Sequence, residues 1–142
     1  MARLIADHMP PSSLRVGVDL VRVDDVSSSI ERFGDRYVGR LFTADESAYC
    51  KADRARAAER FAARFAAKEA TLKVLRPSPY DGVGWRSIEV RQRPGGACEI
   101  VLHDGALAIA QRDGIVELSV SMSHEREYAT ATVVARAHHP ET

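Results

Sequence analysis

Apolar and polar residues alternate first in RVGVDL, residues 15–20, where Val16 and Val18 are interleaved with Gly17 and Asp19. That period of two predicts a short strand, and it ends on an acid, Asp19, where the chain leaves the sheet. Residues 26–41 carry a helical pattern with a break near Gly34 or Gly39. Thr43-Ala44-Asp45-Glu46 has capping-box spacing, so a short helix through Cys50 is expected. The strongest helical pattern runs from about Arg54 to Leu75 and stops before Pro77. Two hairpins should follow. One joins WRSIEV (85–90) to CEIVL (98–102) across Pro94-Gly95-Gly96. The other joins VELSVSMS (116–123) to YATATVVA (128–135) across His124-Glu125-Arg126-Glu127. Between them Asp104 is placed to cap a short helix, GALAIAQRD, stopped by Gly114. These elements predict an α+β fold with an antiparallel sheet packed on one long helix.

The long helix also carries the candidate chemistry. Projected at about 100° per residue, Phe61, Phe65, Leu72 and Leu75 fall in one apolar stripe, and Lys68 falls inside it. Glu69 and Lys73 lie one turn apart on the flank, beside Ala62 and Ala66, whose small side chains leave room for something to lie against the helix. Arg64 lies on the other flank, roughly 140° from Glu69. An isolated Glu–Lys pair on a helix is ordinarily a solvated surface pair worth a few tenths of a kcal/mol. What changes the reading is Asp19 at a strand end together with Lys68 on the apolar stripe. Two carboxylates from separate elements, near lysine, suit a magnesium ion holding phosphate oxygens.

Composition narrows the class. At 142 residues the chain suits one domain, placed at 15–136, with flexible ends at 1–14 and 137–142. Twenty basic and twenty acidic side chains cancel, so no global field draws the protein to nucleic acid or a membrane. Cys50 and Cys98 have no metal-ligand spacing and read as free thiols. The first residues lack a signal-peptide pattern, and a cytoplasmic location is expected. A neutral protein that receives an acidic partner needs a local basic strip. Arg32, Arg36 and Arg40 form such a row if residues 30–41 stay helical; the alternative is a solvated charged face shared with Glu31 and Asp35.

VGVDLVRV (16–23), RFAAKEATLK (64–73) and SVSMSHEREYATATV (119–133) together resemble the holo-acyl-carrier-protein synthases, the small phosphopantetheinyl transferases of fatty-acid and polyketide synthesis. LFTADE (41–46) and WRSIEV (85–90) add to the resemblance, which covers roughly residues 15–135. It implies transfer of 4′-phosphopantetheine from coenzyme A to a serine of an apo acyl carrier protein, releasing adenosine 3′,5′-bisphosphate. It also implies that Asp19 and Glu69 hold magnesium, and that Glu69 orients or deprotonates the serine. Lys73 would stabilise or protonate the departing phosphate, and His124 matches a histidine of the coenzyme A pocket. Arg64, Lys68, Lys73 and His124 are the residues expected to hold coenzyme A, with Lys68 reaching past the core to a phosphate or to a buried acid. Arg36 and Arg40, with Arg32, would dock the carrier protein, and the protein would be a homotrimer. Larger monomeric relatives place a further acid where Val21 stands here, and LRPSPYDGVGW replaces a glycine-rich loop. The alternative is a catalytically idle homologue that only binds coenzyme A or scaffolds a synthase.

Overall fold

The structure, a computed structural model, describes residues 12–139. Strand β1 (Ser12–Arg22) leads into helices α1 (Val23–Phe33), α2 (Asp35–Leu41), α3 (Ala44–Lys51) and the long α4 (Ala57–Leu75). A single 3-10 turn at Trp85–Ser87 precedes strands β2 (Ile88–Gln92) and β3 (Cys98–Leu102). Helix α5 (Asp104–Arg112) and strands β4 (Ile115–His124) and β5 (Tyr128–His138) complete the chain. The strands make two antiparallel sheets, β1-β5-β4 and β2-β3. The α+β class is as expected, although the sheet is divided. Among the described residues, no helix is long and apolar enough to cross a membrane.

Several boundaries move for local reasons. Gly34 adopts φ 57°, so the helical stretch breaks there into α1 and α2. Asp53 draws the chain into a turn, its carboxylate accepting from the Ala55 amide and its carbonyl from Arg56, so α4 starts at Ala57 rather than Arg54. Trp85–Ser87 curls before β2 begins. Asp104 is the first residue of α5 and makes no side-chain cap. Strand β1 begins at Ser12 and β5 runs to His138, so 12–14 and 137–138 belong to the sheet rather than to loose ends. The expected ends at 1–11 and 140–142 lie outside the described residues.

Alanine sets how closely the layers approach. On α4, Ala62, Ala63, Ala66, Ala67 and Ala70 are buried, and on β5 so are Ala129, Ala131 and Ala135, all in one core cluster. Small residues on both sides let the helix lie close against β1 and β5. The room expected beside Ala62 and Ala66 is there, and the sheet fills it. On the far side of α4, Phe61 packs against Phe42 with ring centroids 4.9 Å apart, worth about 0.5–1.5 kcal/mol beyond burial. The opposite face of β1 is apolar but uncovered: Leu14, Val16, Val18 and Leu20 are 56–71% exposed.

Candidate active site

Asp19 reaches α4 because Gly17 lets the strand come close. A Cβ at Gly17 would stand 2.1 Å from the Ala70 carbonyl oxygen and 3.2 Å from Lys73 Cβ, which only glycine avoids. Two residues on, Asp19 faces the same side of the strand, and its carbonyl is pinned by Thr130 Oγ1 at 2.8 Å. Helix α4 supplies Glu69 and Lys73 one turn apart. The ion pair runs between elements: Lys73 Nζ stands 3.3 Å from Asp19 Oδ1 and donates to the Val18 carbonyl at 2.7 Å. Glu69 and Asp19 open onto one cavity of about 460 Å³, which Leu20, Asp25, Tyr37 and Phe65 also line. Burial first, and then the charge of Asp19, push the Glu69 carboxyl above the usual range, with Lys73 opposing. Lys73 thus pairs with Asp19 and offsets part of the charge of Glu69.

Lys68 lies elsewhere: of the two targets expected for it, it meets the buried acid, and its place among the residues holding coenzyme A is corrected. Its side chain is 0% exposed. Nζ donates to Glu46 Oε1 at 2.8 Å, to the Trp85 carbonyl at 3.1 Å and to the Ile88 carbonyl. Three acceptors use all three ammonium protons, leaving none for a substrate phosphate. Glu46 closes the network: Oε1 also accepts from the Thr43 amide, and Oε2 from the Val90 amide at 3.0 Å. The capping box is present as expected, and its acid serves as the buried partner of Lys68. Burial lowers the proton affinity of Lys68 and Glu46 opposes that, so the pair ties α3, α4 and β2 together.

Arg64 and His124 are brought together, in a second cavity of about 390 Å³. Arg56 and Arg60 line it too. Neither was anticipated, although Arg56, Arg60 and Arg64 recur every four residues and so mark one helix face. His124 ends β4 rather than sitting in the turn, and its Nδ1 pairs with Glu59 Oε2 at 3.0 Å. The arginine row is also changed. Gly34 separates Arg32, on the last turn of α1, from Arg36 and Arg40 on α2. Arg36 and Arg40 line a third cavity of about 460 Å³ with Phe33 and Tyr37. Tyr37 borders both this cavity and the one holding Asp19 and Glu69.

Residues 15–133 match the model of the 4′-phosphopantetheinyl transferase superfamily. The chain belongs to that superfamily. It is 45% identical over 121 residues to the holo-[acyl-carrier-protein] synthase of Koribacter versatilis, spanning 85% of this chain and 96% of that one. To the synthase of Gloeobacter violaceus it is 41% identical, over 84% of this chain and 89% of that one. Among solved structures, the Chronobacterium ammoniagenes ACPS-CoA complex superposes with a TM-score of 0.80 at 31% identity, covering 89% of this chain and 99% of that one. The Helicobacter pylori holo-[acyl-carrier-protein] synthase in complex with coenzyme A gives a TM-score of 0.74 at 26% identity, covering 85% and 99%.

Proposed function

We infer that this protein is a holo-acyl-carrier-protein synthase, transferring 4′-phosphopantetheine from coenzyme A to a serine of an apo acyl carrier protein. The observation that carries the reading is that Asp19 and Glu69 open onto one cavity while Lys73 pairs with Asp19, in a chain of this superfamily. The serine hydroxyl oxygen forms a bond to the phosphorus on the pantetheine side of the pyrophosphate. The bond from that phosphorus to the bridging oxygen breaks, and adenosine 3′,5′-bisphosphate leaves. Glu69, its proton affinity raised by burial and by Asp19, takes the serine proton. Lys73, beside Asp19, neutralises or protonates the departing phosphate oxygen.

Asp19 and Glu69 fit a magnesium ion. Both offer hard oxygen donors to one cavity, and their mutual repulsion is a charge imbalance that a cation relieves. Among the described residues, no third His, Cys, Asp or Glu joins a metal-binding group with them. That suits an ion whose remaining positions go to water and substrate phosphate. When bound, magnesium supplies charge neutralisation on the pyrophosphate.

The same reading extends to the other residues. Arg64 and His124, with Arg56 and Arg60, form the pocket for a phosphate of coenzyme A. The cavity of Phe33, Arg36, Tyr37 and Arg40 receives the acidic carrier protein next to the reacting centre. The uncovered face of Leu14, Val16, Val18 and Leu20 packs against other copies in a homotrimer, which sets a neighbouring subunit beside Asp19. Incubation with apo carrier protein, coenzyme A and magnesium, followed by mass measurement of the carrier, tests the activity. A gain of one phosphopantetheine arm is expected. An unchanged mass with several apo carrier proteins contradicts it.

A further inference from the structure

Arg64 is a buried cation whose hydrogen-bonding capacity the fold leaves unused. The residue is 3% exposed, and its Nε is the buried side-chain nitrogen that finds no partner among the described residues. Leaving such a donor unpaired is costly and asks for a reason. What touches the guanidinium is an aromatic ring: its central carbon stands 4.1 Å from the centroid of Tyr49. The ring is itself held in place. The Arg60 guanidinium lies 4.5 Å from the same centroid, and Arg60 Nη1 donates to the Tyr49 carbonyl at 3.0 Å. That carbonyl is in the last turn of α3, where the helix dipole favours a positive charge. Arg60 therefore braces Tyr49, and Tyr49 braces Arg64.

We propose that Tyr49 is a positioning residue for substrate binding: its ring fixes the plane of Arg64 by stacking, so that the donors stay available to a phosphate of coenzyme A. A carboxylate in place of the ring would hold the guanidinium as firmly, but it would occupy the N–H groups that the phosphate needs. Stacking restricts the side chain without using any donor, and it lowers the ordering cost that binding would otherwise carry. Arg56 and Arg60 line the same cavity, so an anion entering it meets several cations at once. The inference rests on the reading that this cavity takes a coenzyme A phosphate.

The role belongs to the ring, not to the hydroxyl, and that separates it from a merely structural one. Tyr49→Leu should weaken binding of adenosine 3′,5′-bisphosphate in calorimetry, and raise the coenzyme A KM, by about tenfold. The turnover number should stay near the wild-type value. Tyr49→Phe should restore both to within about twofold. Tyr49→Met, nearer in length and polarisability, replaces Tyr49→Leu if the latter lowers the thermal midpoint. Arg64→Met is the control for the cavity itself. If Arg64→Met leaves bisphosphate binding intact, the cavity is not the phosphate pocket and both readings fall. If Arg64→Met weakens binding while Tyr49→Leu and Tyr49→Met do not, the pocket stands and the positioning role is overturned. The role is overturned equally if Tyr49→Phe is as damaging as Tyr49→Leu.

Discussion

Lys68 and Lys73 sit on one helix, little more than a turn apart, and they do opposite things. Lys68 is 0% exposed, with three acceptors around its ammonium. Lys73 is 54% exposed at its side chain, and beside it stand a backbone carbonyl and the Asp19 carboxylate. The first faces Glu46 and the start of β2, deep between layers; the second faces Val18 and Asp19 of β1, and Asp19 lines a cavity. Burial converts a lysine–carboxylate pair into a structural tie, because separating its members strands a charge in the core. Exposure leaves the same kind of pair worth about 0–1 kcal/mol in stability and open to exchange with solvent. Position on the helix, rather than residue type, assigns the work.

Removing the exposed side should cost activity and little else. Asp19→Ala, Glu69→Ala and Lys73→Ala are each expected to lower turnover by at least about 10²-fold, with the thermal midpoint nearly unchanged. Steady-state kinetics beside thermal melts would check it. A Lys73→Ala protein with full turnover would remove the catalytic half of the contrast. Removing the buried side should do the reverse. Lys68→Met leaves Glu46 charged, buried and short of its cation, at a cost of about 3–5 kcal/mol in denaturant unfolding. Pairing it with Glu46→Gln should recover part of that loss, since the amide side chain leaves no stranded charge and its oxygen still accepts from a backbone amide. If Lys68→Met melts normally but binds coenzyme A poorly, the buried lysine is a ligand after all.

Smaller effects sharpen the contrast. Arg36→Glu and Arg40→Glu, at the cavity that shares Tyr37 with that of Asp19 and Glu69, should raise the carrier-protein KM about tenfold and leave the coenzyme A KM unchanged. Added salt should imitate this weakly. Parallel rises in both KM values would assign these arginines to the coenzyme A pocket or the fold. The smallest effect lies on the structural side, at Glu89, which Thr43 and His103 hold at 3.1 and 3.0 Å. Burial pushes its carboxyl up, but those bonds and the charge of Arg91 together hold it below the ordinary value of 4.5. A depressed carboxylate stabilises the fold above its unfolded pKa and loses that contribution as pH falls through its folded one. The thermal midpoint should therefore drop as pH falls below 4.5, and Glu89→Gln should flatten that part of the profile.

Much of this division could be read from the sequence, and the parts that could not share a cause. Glu69 and Lys73 were legible because one helix turn fixes their neighbourhood, whereas Asp19, expected as the last residue of its strand, lies inside β1, which stays paired through Arg22. The capping box was legible for the same local reason. The partner of Lys68 was not, because Glu46 meets it only through the packing of α3 on α4; the signal was a lysine in an apolar stripe, which needs a buried acid. The break at Gly34 was visible as a glycine, while its effect on the arginine row depended on a backbone angle. Tyr49 was invisible as a site residue, since a tyrosine on a short helix gives no hint of the two guanidinium groups against it.

The account turns on Asp19 and Glu69 acting together as a cation site. The most direct test is the initial rate of carrier-protein modification as magnesium is titrated, in the wild type and in Asp19→Ala. The expected result is a wild-type rate that is negligible in excess chelator and rises to saturation with magnesium, while Asp19→Ala stays slow throughout. A wild-type rate undiminished in excess chelator, or an Asp19→Ala protein that follows the wild-type curve, would contradict it.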